Sequence, residues 1–257
     1  MTDIQTEFQP PLAWLTLNRP DKRNAVTAGM WAALPGIARD IAADPSIRVA
    51  LVRGAGTEAF SAGADIAEMQ QNLAHPERMR AMQQAVLDGQ LAWARLPIPT
   101  VAVVFGACTG GGCGLALACD LRLASEDSFF AIPPARLGLV YALDDTRRLV
   151  DLVGPARAKE ILFTGRRVPA REALSLGLVN EVVPTADLVA RAIELAGTMA
   201  SNAGNSIAAA KRIVNLIMDG TPAETPETRA LFDGAFASAE FIEGARAFLE
   251  KRAPRFR

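Results

Sequence analysis

Two glycine-containing segments of the chain could act on a ligand through their backbone amides. They are RGAGTEAFSAGADIAEM (53–69) and FGACTGGGCGLALACD (105–120), and each follows a predicted strand. In the second segment, glycines stand where a helical pattern begins, at residue 111 or 112. Amides of a first helical turn have no partner within the helix, and with the helix dipole they favour negative charge. They would stabilise a thioester oxygen that becomes an enolate, although tight packing or a plain turn would use the same glycines.

The first segment also contains a loose nucleotide-binding pattern. Residues 54–59 read GAGTEA, which matches GxGxxA after a strand. That fingerprint needs a helix to open at the glycines, whereas FSAG (60–63) intervenes here before a helix can start. No strand ending in an acidic residue follows about twenty residues later. We therefore do not expect a dehydrogenase.

Histidine and cysteine chemistry have little support in the sequence. The one histidine, His75, stands beside a proline in the polar stretch QQNLAHPERMR, which is typical of a surface position. No GxSxG elbow occurs, so we do not expect a Ser-His-Asp hydrolase. Cys108, Cys113 and Cys119 form neither a CxxC pair nor a disulfide ladder. We interpret them as small, buried, reduced residues, and we predict no metal site.

Composition narrows the class of protein further. Half of the 257 residues are hydrophobic, which is enough for a sizeable core, and 27 basic residues balance 28 acidic ones. No basic field exists to hold a nucleic acid. The first residues do not resemble a signal peptide, and no run of 18 apolar residues predicts a membrane span. We expect a soluble, cytoplasmic protein that binds neither nucleic acid nor membrane.

The elements that would position the glycine segments are strand-like runs that alternate with helical patterns through about residue 182. Helical periodicity covers 27–43, with Thr27 as a possible N-cap, and 77–93. Beyond Pro184 only helical patterns remain, over 185–200, 204–218 and 225–251. The predicted strands are LAWLTLN (12–18), RVALVRG (48–54), TVAVVF (100–105), LRLAS (121–125), FFAI (129–132) and LVNEVVP (178–184).

This change of pattern predicts two regions. Residues 1–190 would form an α/β core, and residues 191–257 a helical region. On the last predicted helix, Phe241, Ala245, Phe248 and Leu249 line one face. Such an apolar stripe needs a partner, either the chain's own core or another subunit.

Six segments carry a family pattern across nearly the whole chain. They are NRPDKRNAV (18–26), AFSAGADIAEM (59–69), TGGGCGLALACDLRLASEDSFFAI (109–132), RLVDLVGPARAKEILFTGR (148–166), EALSLGLVNEVVP (172–184) and FIEGARAFLEKRAPRF (241–256). In this order they resemble the signature segments of the crotonase (enoyl-CoA hydratase/isomerase) superfamily. The resemblance implies a spiral of ββα units with a C-terminal helical trimerisation region. It also implies an acyl-CoA thioester as substrate, a homotrimer or dimer of trimers, and no cofactor beyond the coenzyme A of that substrate.

The resemblance also implies where the substrate binds. The backbone amides of Ala64 and Gly111 would form an oxyanion hole. The coenzyme A moiety would lie along Lys22, Arg23, Ala25 and the backbone of Ala64, Asp65 and Ile66, and Phe248 and Lys251 of a neighbouring subunit would complete the nucleotide end. Since coenzyme A carries several phosphate charges, the two loop cations have a physical reason to contact it, although exposed basic residues are equally often just solvated.

The chain departs from the hydratase pattern at both proton-handling positions. In the hydratases a glutamate directly follows GGGC and another ends the tract FxxPE, whereas this chain has Gly114 and Pro134 there. Hydration needs two such groups, so ordinary hydratase activity is not expected. The polar residues left nearby are Tyr141, Asp144 and Asp145. We consider N-capping of a helix near Thr146 for the aspartates, and either packing or substrate contact for the tyrosine.

We therefore predict an enzyme that stabilises a thioester enolate at Ala64 and Gly111 and belongs to the isomerase, hydratase or lyase range. Tyr141, Asp144 and Asp145 are the candidate catalytic side chains. The alternatives are a non-catalytic acyl-CoA binding protein and a decarboxylase-like enzyme that uses Tyr141.

Overall fold

The computed structural model describes residues 2–256, which form two sheets and ten helices. The strands are β1 (Ile4–Gln9), β2 (Leu12–Leu17), β3 (Val49–Gly54), β4 (Ala59–Ser61), β5 (Thr100–Val104), β6 (Ala107–Thr109), β7 (Leu121–Ser125), β8 (Phe129–Ala131), β9 (Arg167–Pro169) and β10 (Glu181–Val183). The helices are α1 (Ala28–Ala43), α2 (Ile66–Asn72), α3 (Pro76–Ala94), α4 (Gly110–Ala118), α5 (Leu143–Thr164), α6 (Ala170–Ser175), α7 (Leu188–Ala200), α8 (Gly204–Met218), α9 (Pro226–Phe236) and α10 (Ala239–Leu249).

The strands divide between a large and a small sheet in a repeating way. The large sheet has the order β1-β2-β3-β5-β7-β10, and the small sheet has the order β4-β6-β8-β9. Three times in succession, a strand of the large sheet is followed by a strand of the small sheet and then by helix: β3-β4-α2, β5-β6-α4 and β7-β8-α5. This succession agrees with the predicted ββα units and with an α/β fold. All pairings are parallel except β1 with β2 and β8 with β9.

The central strands β2, β3, β5 and β7 of the large sheet are buried on both faces, which explains their continuous apolar sequences. All six residues of β2 are buried. Ala13, Leu15 and Leu17 pack into the main core, while Leu12 and Trp14 face a second core on the other side. The second core is closed by one face of α7, through Leu188, Ala192 and Ala196. The predicted division at residue 190 falls within this helix, and the division into two regions stays a prediction.

Several local predictions are confirmed. Thr27 caps α1, since its hydroxyl accepts a hydrogen bond from the Met30 amide at 3.2 Å. Helix α4 begins at Gly110, within one or two residues of the predicted start. The three cysteines are buried and free, and the His75 side chain is 47% exposed.

Two segments differ from the prediction for local reasons. The predicted helix 225–251 is two helices, because Ser238 begins a new one and its hydroxyl accepts from the Phe241 amide at 3.0 Å. The predicted strand 178–184 forms ladder pairs only over β10, since the Leu178 amide instead donates to the Ala173 carbonyl at 2.8 Å. Strand β1 and the three-residue strands β4, β6 and β9 were not predicted.

The C-terminal helices are fastened to the core at defined points. The Lys211 ammonium of α8 donates to Asp120 at 2.7 Å and to the Ile98 carbonyl at 2.9 Å. The apolar side chains of Phe248 and Leu249, at the end of α10, are 83% and 81% exposed. Within residues 2–256, the structure contains no helix whose length and hydrophobicity would suit a membrane span.

Helix α4 packs so closely against β4 that a glycine is required at position 112. A Cβ atom on Gly112 would lie 2.6 Å from the Ser61 hydroxyl oxygen, and Ser61 is fully buried. We expect Gly112→Ala to destabilise the protein by about 1–3 kcal/mol through overpacking. Gly197→Ala on α7, where a Cβ atom meets nothing within 4 Å, should stabilise it by about 0.5–1 kcal/mol. Denaturant unfolding of the two variants checks this; equal stabilities would contradict the close packing of Gly112 against Ser61.

Candidate active site

Two free backbone amides, those of Ala64 and Gly111, lie side by side. The Val26 amide donates to the Gly63 carbonyl, and the Asp65 amide donates to the Val26 carbonyl, so the Ala64 N–H points away from this bridge. Gly111 is the second residue of α4, and its N–H has no partner within the helix. No hydrogen bond within residues 2–256 uses either amide. A Cβ atom built on Gly111 would lie 3.9 Å from the Ala64 nitrogen, so the two donors are neighbours.

The two amides meet because the segments around them touch backbone to backbone. Gly63 has φ +96°, and a Cβ atom there would lie 2.9 Å from the Thr109 carbonyl oxygen. The Thr109 hydroxyl donates to the Ala62 carbonyl at 2.7 Å. The buried Ser61 hydroxyl accepts from the Gly63 amide at 3.1 Å and donates to the Asn24 carbonyl at 2.8 Å. The Thr109 bond joins the two segments, and the Ser61 bonds hold the first of them to the loop 18–26.

The loop 18–26 is locked by two polar side chains. Arg19 forms a 2.9 Å ion pair with Asp65 and donates to the Ala25 carbonyl at 2.8 Å. Asn24 is buried, and its amide donates to the carbonyls of Ala55 and Ala59 at 3.0 and 2.7 Å. The loop is therefore held rigidly beside the Ala64 segment.

The predicted coenzyme A residues of this loop differ in exposure. Lys22 and Arg23 are exposed and form no ion pair with any residue from 2 to 256, whereas Ala25 is buried. The Ile66 side chain is 55% exposed at the first position of α2. The cations of the loop are thus available to an anionic ligand.

The side chain of Asp65 has a structural role. Its carboxylate caps α2 by accepting from the amides of Ala67 and Glu68 at 3.1 and 3.2 Å, and it pairs with Arg19. The hydrogen bond from Arg19, helped by that from Glu68, lowers the pKa of Asp65. The Asp65 carboxylate is therefore already engaged within the chain.

Asp145 places a buried carboxylate against α4. The residue is 3% exposed, and its Oδ1 atom lies 3.2 Å from an Arg148 guanidinium nitrogen. The Gln90 amide, oriented so that a donor faces the carboxylate, lies with its nitrogen 2.9 Å from Oδ1 and 3.2 Å from Oδ2. Burial raises the pKa of Asp145 to about 6, although Arg148 and Gln90 both lower it.

The Asp145 carboxylate occupies the space beside Gly114. A Cβ atom built on Gly114 would lie 2.9 and 3.0 Å from its two oxygens and would overlap the Gln90 amide. At the position where the resemblance places a glutamate on α4, a carboxylate therefore arrives from α5 instead. Pro134, the other such position, opens a 3-10 turn over Pro134–Leu137 and brings no ionisable group.

Tyr141 contacts the start of α4. Its hydroxyl donates to the Gly110 carbonyl at 3.3 Å, one residue before Gly111. Burial raises the pKa of Tyr141 well above its ordinary value, and the Asp145 carboxylate raises it further. The phenol thus stays protonated and can act as a donor at neutral pH.

The capping interpretation of the two aspartates is wrong. Helix α5 begins at Leu143, its N-cap is Ala142, and no side chain caps it. Asp144 and Asp145 therefore belong to the first turn of α5. Negative charges there interact favourably with the helix dipole, but neither side chain caps the helix. Asp144 differs from its neighbour in environment, since its side chain is 46% exposed and 3.9 Å from Arg147.

Phe248 and Lys251 are not brought to these groups within the chain. Phe248 lies at the exposed end of α10, and Lys251 follows with φ +52°. No hydrogen bond or ion pair within residues 2–256 joins the end of α10 to the loop 18–26. Their predicted contribution from a neighbouring subunit stays a prediction.

Within residues 2–256, the histidine and the cysteines suggest no second chemistry. His75 lies 3.9 Å from Glu77 on the surface. Burial raises the pKa of the Cys119 thiol to about 12, and it raises that of Cys108 well above its ordinary value, so neither is a ready nucleophile. In the part of the chain from 2 to 256, no three His, Cys, Asp or Glu side chains gather where they could hold a metal ion.

Sequence reasoning missed Gln90 and Arg148, the two partners of Asp145. Gln90 carried a signal, because it falls on the apolar face of α3 that includes Met82, Val86 and Trp93. A polar residue at an apolar position of a helix predicts a buried hydrogen-bond partner. Arg148 could have been identified by its spacing, since it stands three residues after Asp145 on a helix.

Comparisons with known proteins agree with one family throughout the chain. A family model described as enoyl-CoA hydratase/isomerase matches residues 7–257. A short-chain-enoyl-CoA hydratase of Clostridium acetobutylicum is 33% identical over 98% of this chain and 96% of its own. A crotonyl-CoA hydratase of Syntrophomonas wolfei is 35% identical over 99% of this chain and 97% of its own. A crystal structure assigned to the enoyl-CoA hydratase/isomerase family, from Hyphomonas neptunium, has a TM-score of 0.96 at 41% identity and covers 100% of this chain and 98% of its own.

The raised pKa of Asp145 predicts a specific dependence of stability on pH. Since the folded-state pKa is about 6 and the ordinary value is 3.8, the folded state holds the proton more tightly than the unfolded chain does. Ionisation therefore lowers the free energy of unfolding as pH rises from about 4 to 7, by about 3 kcal/mol. Asp145→Asn should remove this loss, and Asp144→Asn should keep it. Unfolding measured across this pH range checks it; identical profiles for wild type and Asp145→Asn would contradict the raised pKa.

Proposed function

The chain belongs to the enoyl-CoA hydratase/isomerase family, and we propose that it moves a double bond in an acyl-CoA thioester. In this proposal the amides of Ala64 and Gly111 bind the thioester oxygen, and Asp145 transfers the proton. The observation that carries the proposal is the Asp145 carboxylate beside Gly114, close to two free amides.

The two amides suit an oxygen that becomes negative during the reaction. Both N–H groups lack partners within residues 2–256, both residues are half-buried, and one belongs to the first turn of α4. Donors of this kind stabilise an enolate without having to reorganise. Each typically lowers the activation barrier by about 3 kcal/mol. Binding of the thioester oxygen here would acidify the carbon next to the carbonyl.

The position of Asp145 suits proton transfer at that carbon. Gly111 and Gly114 are three residues apart on α4, so they face the same side at about 5–6 Å. The carboxylate lies against Gly114. It therefore lies about one helical turn from the amides that would hold the thioester oxygen. With a pKa of about 6 it is mostly ionised at neutral pH and still basic enough to accept a proton.

One carboxylate is enough for isomerisation. It removes a proton from the carbon between the thioester carbonyl and a 3,4-double bond, and the electron pair shifts into a dienolate whose oxygen is held by Ala64 and Gly111. The same carboxylic acid returns the proton to the fourth carbon. The double bond now lies between the second and third carbons, and the carboxylate is regenerated. Hydration would need a second proton-handling group, and neither Gly114 nor Pro134 has an ionisable side chain.

Tyr141 favours a second candidate function. Its protonated hydroxyl lies beside Gly110, where it could hold a carboxylate on the acyl group. Loss of carbon dioxide from such a substrate would leave an enolate on the same two amides and would require no base. Isomerisation is favoured over this decarboxylation because the buried carboxylate of Asp145 would repel an anionic acyl group.

We place the coenzyme A moiety along the loop 18–26. Lys22 and Arg23 are exposed and unpaired within residues 2–256, so their charges are free to contact phosphates. Ala25 and the backbone of residues 64–66 border this loop, because Val26 pairs with Ala64. Family relatives named as hydratases of CoA thioesters support a ligand of this class.

The same family relation leads us to propose a homotrimer or a dimer of trimers. Phe248 and Leu249 are more than four-fifths exposed at the end of α10, and Phe241 and Ile242 are half exposed on the same helix. A partner subunit covering this surface would bring Phe248 and Lys251 near a neighbour's coenzyme A.

If the exposed apolar surface of α10 joins subunits, the oligomer should dissociate when charged residues are placed there. Phe248→Asp together with Leu249→Asp should give monomers, because burying two carboxylates without partners opposes association. Lys159→Asp, elsewhere on α5, serves as a control for added charge. Light scattering measures the mass of each variant. A wild-type protein that is monomeric at micromolar concentration would contradict the proposed trimer.

The proposed chemistry predicts different effects for adjacent aspartates. Asp145→Asn should lower turnover of 3-enoyl-CoA thioesters about 10²- to 10⁴-fold, because a general base of this kind contributes that much. Asp144→Asn, on the exposed side of the same turn, should leave turnover within about twofold, as expected for a surface charge. Absorbance of the conjugated 2-enoyl thioester measures the product. In the wild type, the rate should rise with pH through about 6 and then level off.

Three outcomes would oppose this function. Full activity of Asp145→Asn would remove the base from the mechanism. Rapid hydration of crotonyl-CoA by the wild type would show that two proton-handling groups are present. Tight binding of acyl-CoA without turnover of any thioester would support the non-catalytic alternative.

A further inference from the structure

Gln90 is a buried polar residue whose position packing alone does not explain. It lies on α3, is 2% exposed, and follows Gly89, which packs against Trp31 of α1. An amide buried in this way costs free energy unless it is hydrogen-bonded. Its nitrogen finds both oxygens of Asp145, at 2.9 and 3.2 Å. The partner that satisfies Gln90 is thus the proposed catalytic base.

We propose that Gln90 is a positioning residue, whose amide holds both oxygens of Asp145 in the space left open by Gly114. The inference rests on the function proposed for Asp145, and it adds a contribution from α3 to the reaction. Three elements take part: α3 supplies the amide, α4 supplies the space, and α5 supplies the carboxylate.

The two contacts of the Asp145 carboxylate have different roles: Arg148 compensates its charge, and Gln90 orients it. Arg148 reaches Oδ1 alone, and it stands on the same helix as Asp145, so it compensates charge but leaves the carboxylate free to rotate. Gln90 approaches both oxygens from another helix. A donor shared by two oxygens fixes the plane of the carboxylate group. It thereby fixes which oxygen faces the carbon next to the thioester.

Gly114 is a necessary partner of this arrangement. A Cβ atom there would lie 2.9 and 3.0 Å from the two carboxylate oxygens and would overlap the Gln90 amide. These distances are too short for a methyl group beside polar atoms. The glycine therefore does more than omit a glutamate, because it makes room for the pair that replaces it.

The charged groups around Asp145 determine what loss of Gln90 would do. Arg148 and Asp144 face it from α5, Tyr141 precedes that helix, and Cys113 of α4 lies near the Tyr141 ring. From α3 the facing group is the uncharged Gln90. Since the Gln90 hydrogen bond stabilises the ionised form, its loss should raise the pKa of Asp145 further.

The test compares two glutamines of the same helix. Gln90→Met keeps the length of the side chain but removes the donor, and it should lower kcat for a 3-enoyl-CoA about 10- to 100-fold, as misplacement of a reacting group does. KM should change little, since Gln90 is not placed against coenzyme A. The acid limb of the pH–rate profile should move to higher pH. Gln84→Met is the matched control, because Gln84 also donates to an aspartate, Asp88 at 2.8 Å, but on the exposed side of α3.

A second readout keeps this test separate from the proposed reaction. Ionisation of Asp145 lowers the free energy of unfolding over a certain pH range. This range is obtained by comparing the unfolding of each variant with that of the same variant carrying Asp145→Asn, and the measurement needs no turnover. The range should move upward in Gln90→Met and stay in place in Gln84→Met. If no thioester is turned over but this range moves, isomerisation is wrong and the positioning role of Gln90 stands.

Two results would overturn the inference. One is a Gln90→Met enzyme whose kcat, acid limb and stability range all match those of wild type. The other is a loss of stability on Gln90→Met that is equally large when Asp145 is already Asn. Gln90 would then stabilise the fold by packing, independently of the carboxylate. Should Gln90→Met fail to fold, Gln90→Asn withdraws the donor by one carbon and retains a polar group. It is expected to shift the acid limb in the same direction, and an unshifted limb counts equally against the inference.

Discussion

Backbone contact between residues 61–64 and 109–112 is the constraint on which the candidate site depends. Side chains at Gly63 or Gly112 would force these segments apart, since their Cβ atoms would lie within 2.9 Å of Thr109 or Ser61. The two segments come from consecutive ββα units, and parallel pairing of β4 with β6 brings them to one edge. Only at this closeness do two unpaired amides from distant parts of the sequence lie together. The candidate site thus arises from the packing of two consecutive ββα units, which requires glycine at positions 63 and 112.

A second constraint is the limited space beside Gly114, one helical turn after Gly111 on α4. Gly114 leaves a space that the resemblance assigns to a glutamate, and the fold fills it with polar atoms from α3 and α5. Because α4 is buried along most of its length, a space at this point would otherwise be a cavity, which costs stability. The absence of a side chain at Gly114 and the presence of the Asp145 carboxylate are therefore linked by packing. That coupling gives the Asp145 carboxylate its position close to the free amides.

The sequence predicted those parts of the fold whose signals are local. Strands β2, β3, β5 and β7 were found from their apolar runs, and Thr27 from its capping pattern. Strands β4, β6 and β9 have three residues each, too few for an alternating pattern to stand out, and their pairing depends on the repeat. The amides of Ala64 and Gly111 could be expected from the resemblance. The carboxylate of Asp145 was among the candidates but its environment was not, because a contact with α3 spans 55 residues of chain and leaves no local pattern.

Another partly buried aspartate, Asp120, has a different environment from Asp145, and the difference supports the role proposed for Asp145. Asp120 accepts hydrogen bonds from the amide and hydroxyl of Thr100 and from the ammonium of Lys211, so its charge is fully compensated while it joins β5 to α8. Asp145 is more deeply buried, yet its neighbours compensate it incompletely and burial still raises its pKa to about 6. A purely structural ion pair at this depth would be replaced by apolar residues at little cost. A carboxylate kept in an unfavourable ionisation state, beside unpaired amides, is instead typical of a group that exchanges its proton with a substrate.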